Sequence, residues 1–105
     1  MNTISREELM ARMAHQQPMQ LVMTLDRSSF ERQHIPGSLY FDHMQDAVGC
    51  LSKDEPVIVY DTNPACPASY RAYYLLQSKG FKQVYRFAGG LEEWSMAGYP
   101  IEGSL

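Results

Sequence analysis

VIVYDTNPACPASYRAYYLL, from Val57 to Leu76, is the stretch that decides the fold. With Pro56 ahead of it, the run ending at Tyr60 is apolar, mostly β-branched and free of polar alternation, as expected for a strand covered on both faces. It stops at Asp61, and a short loop carrying Cys66 follows. Pro67 suits the first position of a helix, where no backbone N–H is needed, and Gly80 suits the residue just past its end. Strand, loop and helix in that order form part of a parallel crossover.

Neighbouring segments extend the pattern. Ser5 and Glu8 have capping-box spacing, and Leu9, Met10 and Met13 form an apolar stripe, which predicts a helix from Ser5 to Ala14. Pro18 ends that region, and Met19 to Leu25 reads as a buried strand. Asp26 and Ser28 can cap a helical turn through Phe30 and Glu31. Pro36-Gly37 forces a turn before a short strand, Ser38 to Phe41, and one helical turn is expected around Asp46 to Leu51. A last strand, Val84 to Phe87, leads through Ala88-Gly89-Gly90 to a closing helix ended by Gly98 and Pro100. Trp94 and Tyr99 are expected to pack that helix onto the sheet, and Met10, Met13, Met23, Met44 and Met96 to fill the core. Of Tyr70, Tyr73 and Tyr74, one or two should be exposed. The fold class is α/β, a small parallel β-sheet flanked by helices on both faces, in a single domain over residues 1–105.

Composition narrows the function classes. The chain has 45% hydrophobic and 20% charged residues, ordinary for a globular domain and unlike a disordered one. A net charge of −3 and a pI near 5.5 provide no basic stripe, so no nucleic-acid partner is expected. No stretch is long and apolar enough for a membrane span, and the N-terminus lacks a signal pattern, so the expectation is a cytoplasmic protein with no membrane partner. Two cysteines, Cys50 and Cys66, are too few for a disulfide framework. Neither they nor His15, His34 and His43 show metal-ligand spacing, so no metal and no cofactor are expected.

The order HIPGS (His34 to Ser38), then PVIVY ending in a loop, then LLQSKGFKQVYRFAGGLEEWSMAGYPI resembles the rhodanese-like domains. The resemblance runs from about Ser5 to Ile101 and implies the same small parallel α/β fold. It also implies a sulfurtransferase, in which a cysteine directly after the central strand accepts a sulfane sulfur as a persulfide and passes it to a thiol or cyanide. That chemistry uses a thiolate and a loop of inward-pointing N–H groups at a helix start. His34 is implied as a structural turn residue rather than a ligand.

Three features depart from the family pattern. Asp61 stands in the usual cysteine slot; Met23 and Leu25 replace the usual Asp-x-Arg; and the loop TNPACPAS has no glycine and no arginine. Cys66 then becomes the candidate nucleophile, at the expected N-cap of the helix, where orphan N–H groups favour a thiolate. The resemblance implies that Thr62, Asn63, Ala65, Ala68 and Ser69 surround a bound anion, with Arg71 placed to reach back. Asp61 opposes an anion electrostatically, and as a strand-end aspartate it is expected to accept N–H bonds from Asn63 or Ala65. A phosphate cradle of the C-x5-R type is one residue too long for Cys66 and Arg71, and Pro67 removes one of its N–H groups. The expected partners are a small sulfur-containing anion or persulfide donor and an acceptor thiol on a protein. The alternative is a catalytically degenerate rhodanese-like module that serves as a binding or regulatory domain.

Overall fold

A computed structural model describes residues 1–104 of the chain. Its strands are β1 (Gln20–Met23), β2 (Leu39–Tyr40), β3 (Val57–Tyr60) and β4 (Val84–Phe87), and its helices are α1 (Arg6–Ala14), α2 (Arg27–Arg32), α3 (Met44–Cys50), α4 (Ala68–Ser78) and α5 (Gly90–Met96). The strands form one sheet in the order β2-β1-β3-β4, and every pairing is parallel. The predicted helix starts hold: Ser5 caps α1 by accepting from the Glu8 N–H, and Asp26 caps α2 by accepting from the Ser29 N–H. Gly80, at φ +89, ends α4 in a conformation that a side chain would oppose.

Strand parity sorts the core into two layers. Val57 and Val59 of β3, Val22 of β1 and Val84 of β4 face α3 and α4, where Ala47, Ala72, Tyr73 and Leu76 cover them. Ile58, Tyr60, Leu21, Met23 and Phe87 face the opposite way, against Leu9 of α1 and Trp94 of α5. All four residues of β3 are buried because both faces are covered, which is why that strand reads as an unbroken apolar run. Trp94 is fully buried and Tyr99 stacks edge-on against it. Met96 is 81% exposed, contrary to its expected core role, because two residues of helix turn it away from the side on which Trp94 is buried. Tyr73 is buried while Tyr70 and Tyr74 lie on the surface.

Tyr60 fixes the HIPGS turn to the central strand. Its hydroxyl accepts from the Ile35 N–H at 3.0 Å and lies 2.6 Å from Ser38 Oγ, which itself donates to the Ile35 carbonyl. His34 is a turn residue, with Nδ1 2.7 Å from the Phe30 carbonyl oxygen and its ring stacked on Phe30. Burial pushes the Tyr60 phenol up to about 12 from its ordinary 10.0. Below pH 10 the phenol is protonated in both the folded and the unfolded chain, and its contribution is fully present. Above pH 10 the unfolded chain ionises first, so stability falls as pH rises toward about 12. Denaturant titrations from about pH 9 to about pH 11 should show a steeper loss in the native chain than in Tyr60→Phe. Equal slopes would remove Tyr60 as the cause.

Candidate active-site loop

The residue after β3 inherits the strand's alternation. Val57 and Val59 point toward α4, and so does Asp61, whose carboxylate is fully buried. Its Oδ2 accepts the Ser69 N–H at 2.7 Å, which caps α4 from across the loop. Its Oδ1 is enclosed and has no hydrogen-bond partner among the described residues. The expected bonds from Asn63 or Ala65 do not form, because Asn63 is itself the local turn residue. Its Oδ1 accepts the Ala65 N–H at 3.0 Å and its carbonyl accepts the Cys66 N–H at 3.1 Å.

That turn takes up two of the donors an anion could use. Ala65 and Cys66 have committed their N–H groups, and Pro64 and Pro67 have none. The loop carbonyls instead meet a cation from the neighbouring strand. Arg86 of β4 is 8% exposed and donates through Nε to Ser69 Oγ at 2.8 Å. Its Nη2 donates to the Cys66 carbonyl at 3.2 Å and more weakly to the Pro64 carbonyl at 3.4 Å. Asp61, Ser69 and Arg86 thus form a buried relay between the end of β3, the start of α4 and β4.

A family model described as "Rhodanese-like domain" matches residues 5–97. The chain belongs to the rhodanese-like domain family. It is 34% identical over 84 residues to the thiosulfate sulfurtransferase GlpE of Pseudomonas savastanoi pv. phaseolicola, covering 78% of this chain and 76% of that protein. It is 30% identical over 93 residues to thiosulfate/3-mercaptopyruvate sulfurtransferase 2 of Arabidopsis thaliana, covering 69% of this chain and 27% of that longer protein. The solution structure of the rhodanese-like domain of Anabaena protein Alr3790 superposes with a TM-score of 0.87 at 28% identity, covering 99% of this chain and 80% of that one.

The site residues of this rhodanese-like domain fall into two groups. Asp61, Ser69, Cys66 and the backbone around Asn63 and Ala65 come together at the start of α4. Arg71 does not join them: it is exposed on α4 and makes no side-chain hydrogen bond among the described residues. Cys66 is a partly exposed free thiol. It is not the expected N-cap but lies one residue before the cap, because Pro67 takes that position and α4 begins at Ala68. Met23 and Leu25, where the family pattern has Asp-x-Arg, line a groove of about 150 Å³ with Thr62, Leu91 and Arg32.

Arg86 is the residue that the sequence reading passed over. Its signal was strand parity: two positions after inward-facing Val84, it must face α4, and it pairs in register with Val59 of β3. The Gly89-Gly90 pair has a local reason as well. Gly90, at φ +68, packs directly on the Asp61–Thr62 backbone, while Leu91 and Glu92 donate their N–H groups to the carbonyls of Asp61 and Thr62. No cluster of three or more potential metal-ligating side chains occurs among the described residues, nor does any helix long and apolar enough to cross a membrane.

Proposed function

We propose that this domain carries sulfane sulfur on Cys66, taking it from a persulfide rather than from thiosulfate. The observation that carries this reading is a partly exposed thiol whose own carbonyl receives a hydrogen bond, at 3.2 Å, from the buried Arg86 guanidinium. Asp61 cannot accept sulfur, and its carboxylate is engaged in capping α4. In the exchange, the Cys66 thiolate attacks the outer sulfur of a donor persulfide R–S–S⁻. The S–S bond of the donor breaks, R–S⁻ leaves, and Cys66 holds the outer sulfur as its own persulfide. The same step in reverse polarity of partners delivers that sulfur to an acceptor thiol, so no oxidant is consumed. A reducing compartment such as the cytoplasm suits this exchange.

Thiosulfate is a poorer donor here because a dianion meets the buried Asp61 charge and a loop short of N–H donors. Intact-mass measurement after incubation with the persulfide of 2-mercaptoethanol, whose only charge is on the persulfide, should show a gain of about 32 Da that maps to Cys66, survives Cys50→Ser and disappears in Cys66→Ser. Thiosulfate should give little of that species. Absence of the adduct with both donors rejects the carrier reading. The second reading, a degenerate module that binds a partner without transferring sulfur, would then stand on the committed N–H groups of Ala65 and Cys66.

A further inference from the structure

Arg86 has more capacity than the loop uses. Its Nε and Nη2 bond to three uncharged oxygens, those of Ser69, Cys66 and Pro64. No carboxylate lies within ion-pair distance of it among the described residues. Its remaining nitrogen, Nη1, has no hydrogen-bond partner there and is not among the enclosed atoms, so it keeps contact with solvent. The matching negative charge, Asp61, is reached only through Ser69, whose N–H donates to the carboxylate and whose hydroxyl accepts from the guanidinium. A guanidinium held in place beside a thiol-bearing loop, with one donor open, is a site for one more negative charge.

We propose that Arg86 is the anion-recognition residue of the Cys66 site, presenting Nη1 to the single negative charge of a persulfide donor. The biological meaning rests on the reading of Cys66 as a sulfur acceptor; the charge preference at Cys66 does not, and can be measured alone. The two buried charges oppose each other, so the net field is modest. An anion that meets Nη1 gains the nearer charge, so attraction to Arg86 outweighs the more distant repulsion from Asp61.

Alkylation of the native chain by iodoacetate and by iodoacetamide, at one pH, tests the preference. The fraction of reactive thiolate is common to both reagents and cancels in their rate ratio. Cys50, exposed at the end of α3, serves as reference within the same molecule. The anion-to-neutral rate ratio at Cys66 should exceed that at Cys50 by about threefold or more at low salt, and should fall toward it between about 0.02 M and about 0.5 M salt. Arg86→Gln should bring the ratio down to the Cys50 value, and Arg86→Lys should keep at least half of the excess. A purely structural role for Arg86 would change both reagents alike and leave the ratio where it was. Equal ratios at the two cysteines of the native chain overturn the proposal even if Arg86→Gln does not fold. Persulfide loading measured in parallel separates the readings: a charge preference without loading rejects the sulfur acceptor alone, and loading without a charge preference rejects Arg86 alone.

Discussion

Gly90→Ala should destabilise the domain by about 3 kcal/mol or more, while the adjacent Gly89→Ala stays within about 1 kcal/mol. Gly90 sits at φ +68, where a side chain strains the backbone, and its new Cβ would lie 2.6 Å from the Asp61 carbonyl oxygen and 2.7 Å from the Thr62 carbonyl. Neither atom can move freely. Each carbonyl accepts an N–H from α5, at 2.8 Å from Leu91 and 2.9 Å from Glu92, and Asp61 is anchored again to Ser69. At Gly89 a Cβ would meet only the Glu93 carboxylate, the far end of a side chain that can swing away. For a domain of this size the Gly90 loss corresponds to a fall in melting temperature on the order of 12 °C or more. Thermal melts of both variants check the contrast, and a Gly90→Ala melting point within a few degrees of native would show that the Asp61–Thr62 turn yields easily.

The legibility of this chain followed the range of the interactions involved. Strand β3 and helix α4 announced themselves through local rules: a doubly covered strand is apolar throughout, and Pro67 and Gly80 bracket a helix. The HIPGS turn was legible as a motif, but its anchor, the buried Tyr60 hydroxyl, looked like one more apolar strand residue. Asp61 was read through the commonest local behaviour of a strand-end aspartate, the bond to the next turn. That role went to Asn63, which lies within the turn and has the right reach, leaving Asp61 to act over eight residues on α4. Arg86 was hidden because its partners belong to a different strand-loop-helix unit. Only the pairing of β4 with β3, which places Arg86 beside Val59, brings it under the loop. The sequence carried the parity; the register came from the sheet.

The same relay makes Asp61 the most informative position for separating capping from charge. Asp61→Ala removes the acceptor of the Ser69 N–H, a cap whose loss costs about 0.5–2 kcal/mol. It also leaves Arg86 buried without its one nearby counter-charge. Deleting one partner of a directly bonded buried pair costs about 3–5 kcal/mol, and the intervening Ser69 puts this case toward or below the lower end. A total loss of about 3 kcal/mol is therefore expected for Asp61→Ala. Asp61→Asn keeps an oxygen for the Ser69 N–H and loses only the charge, so it should cost about half as much. Its amide nitrogen would take the place of Oδ1, which already lacks a partner, so no existing hydrogen bond is broken. Denaturant unfolding of the two variants gives the ordering. In the folded fraction of Asp61→Asn, the iodoacetate-to-iodoacetamide ratio at Cys66 should rise about threefold, since Arg86 then acts unopposed. Equal destabilisation by Ala and Asn would assign the whole cost to charge and none to the cap. A Cys66 ratio that does not move in Asp61→Asn would mean that the Asp61 charge is not felt at the thiol, and would confine Asp61 to capping α4 and balancing Arg86.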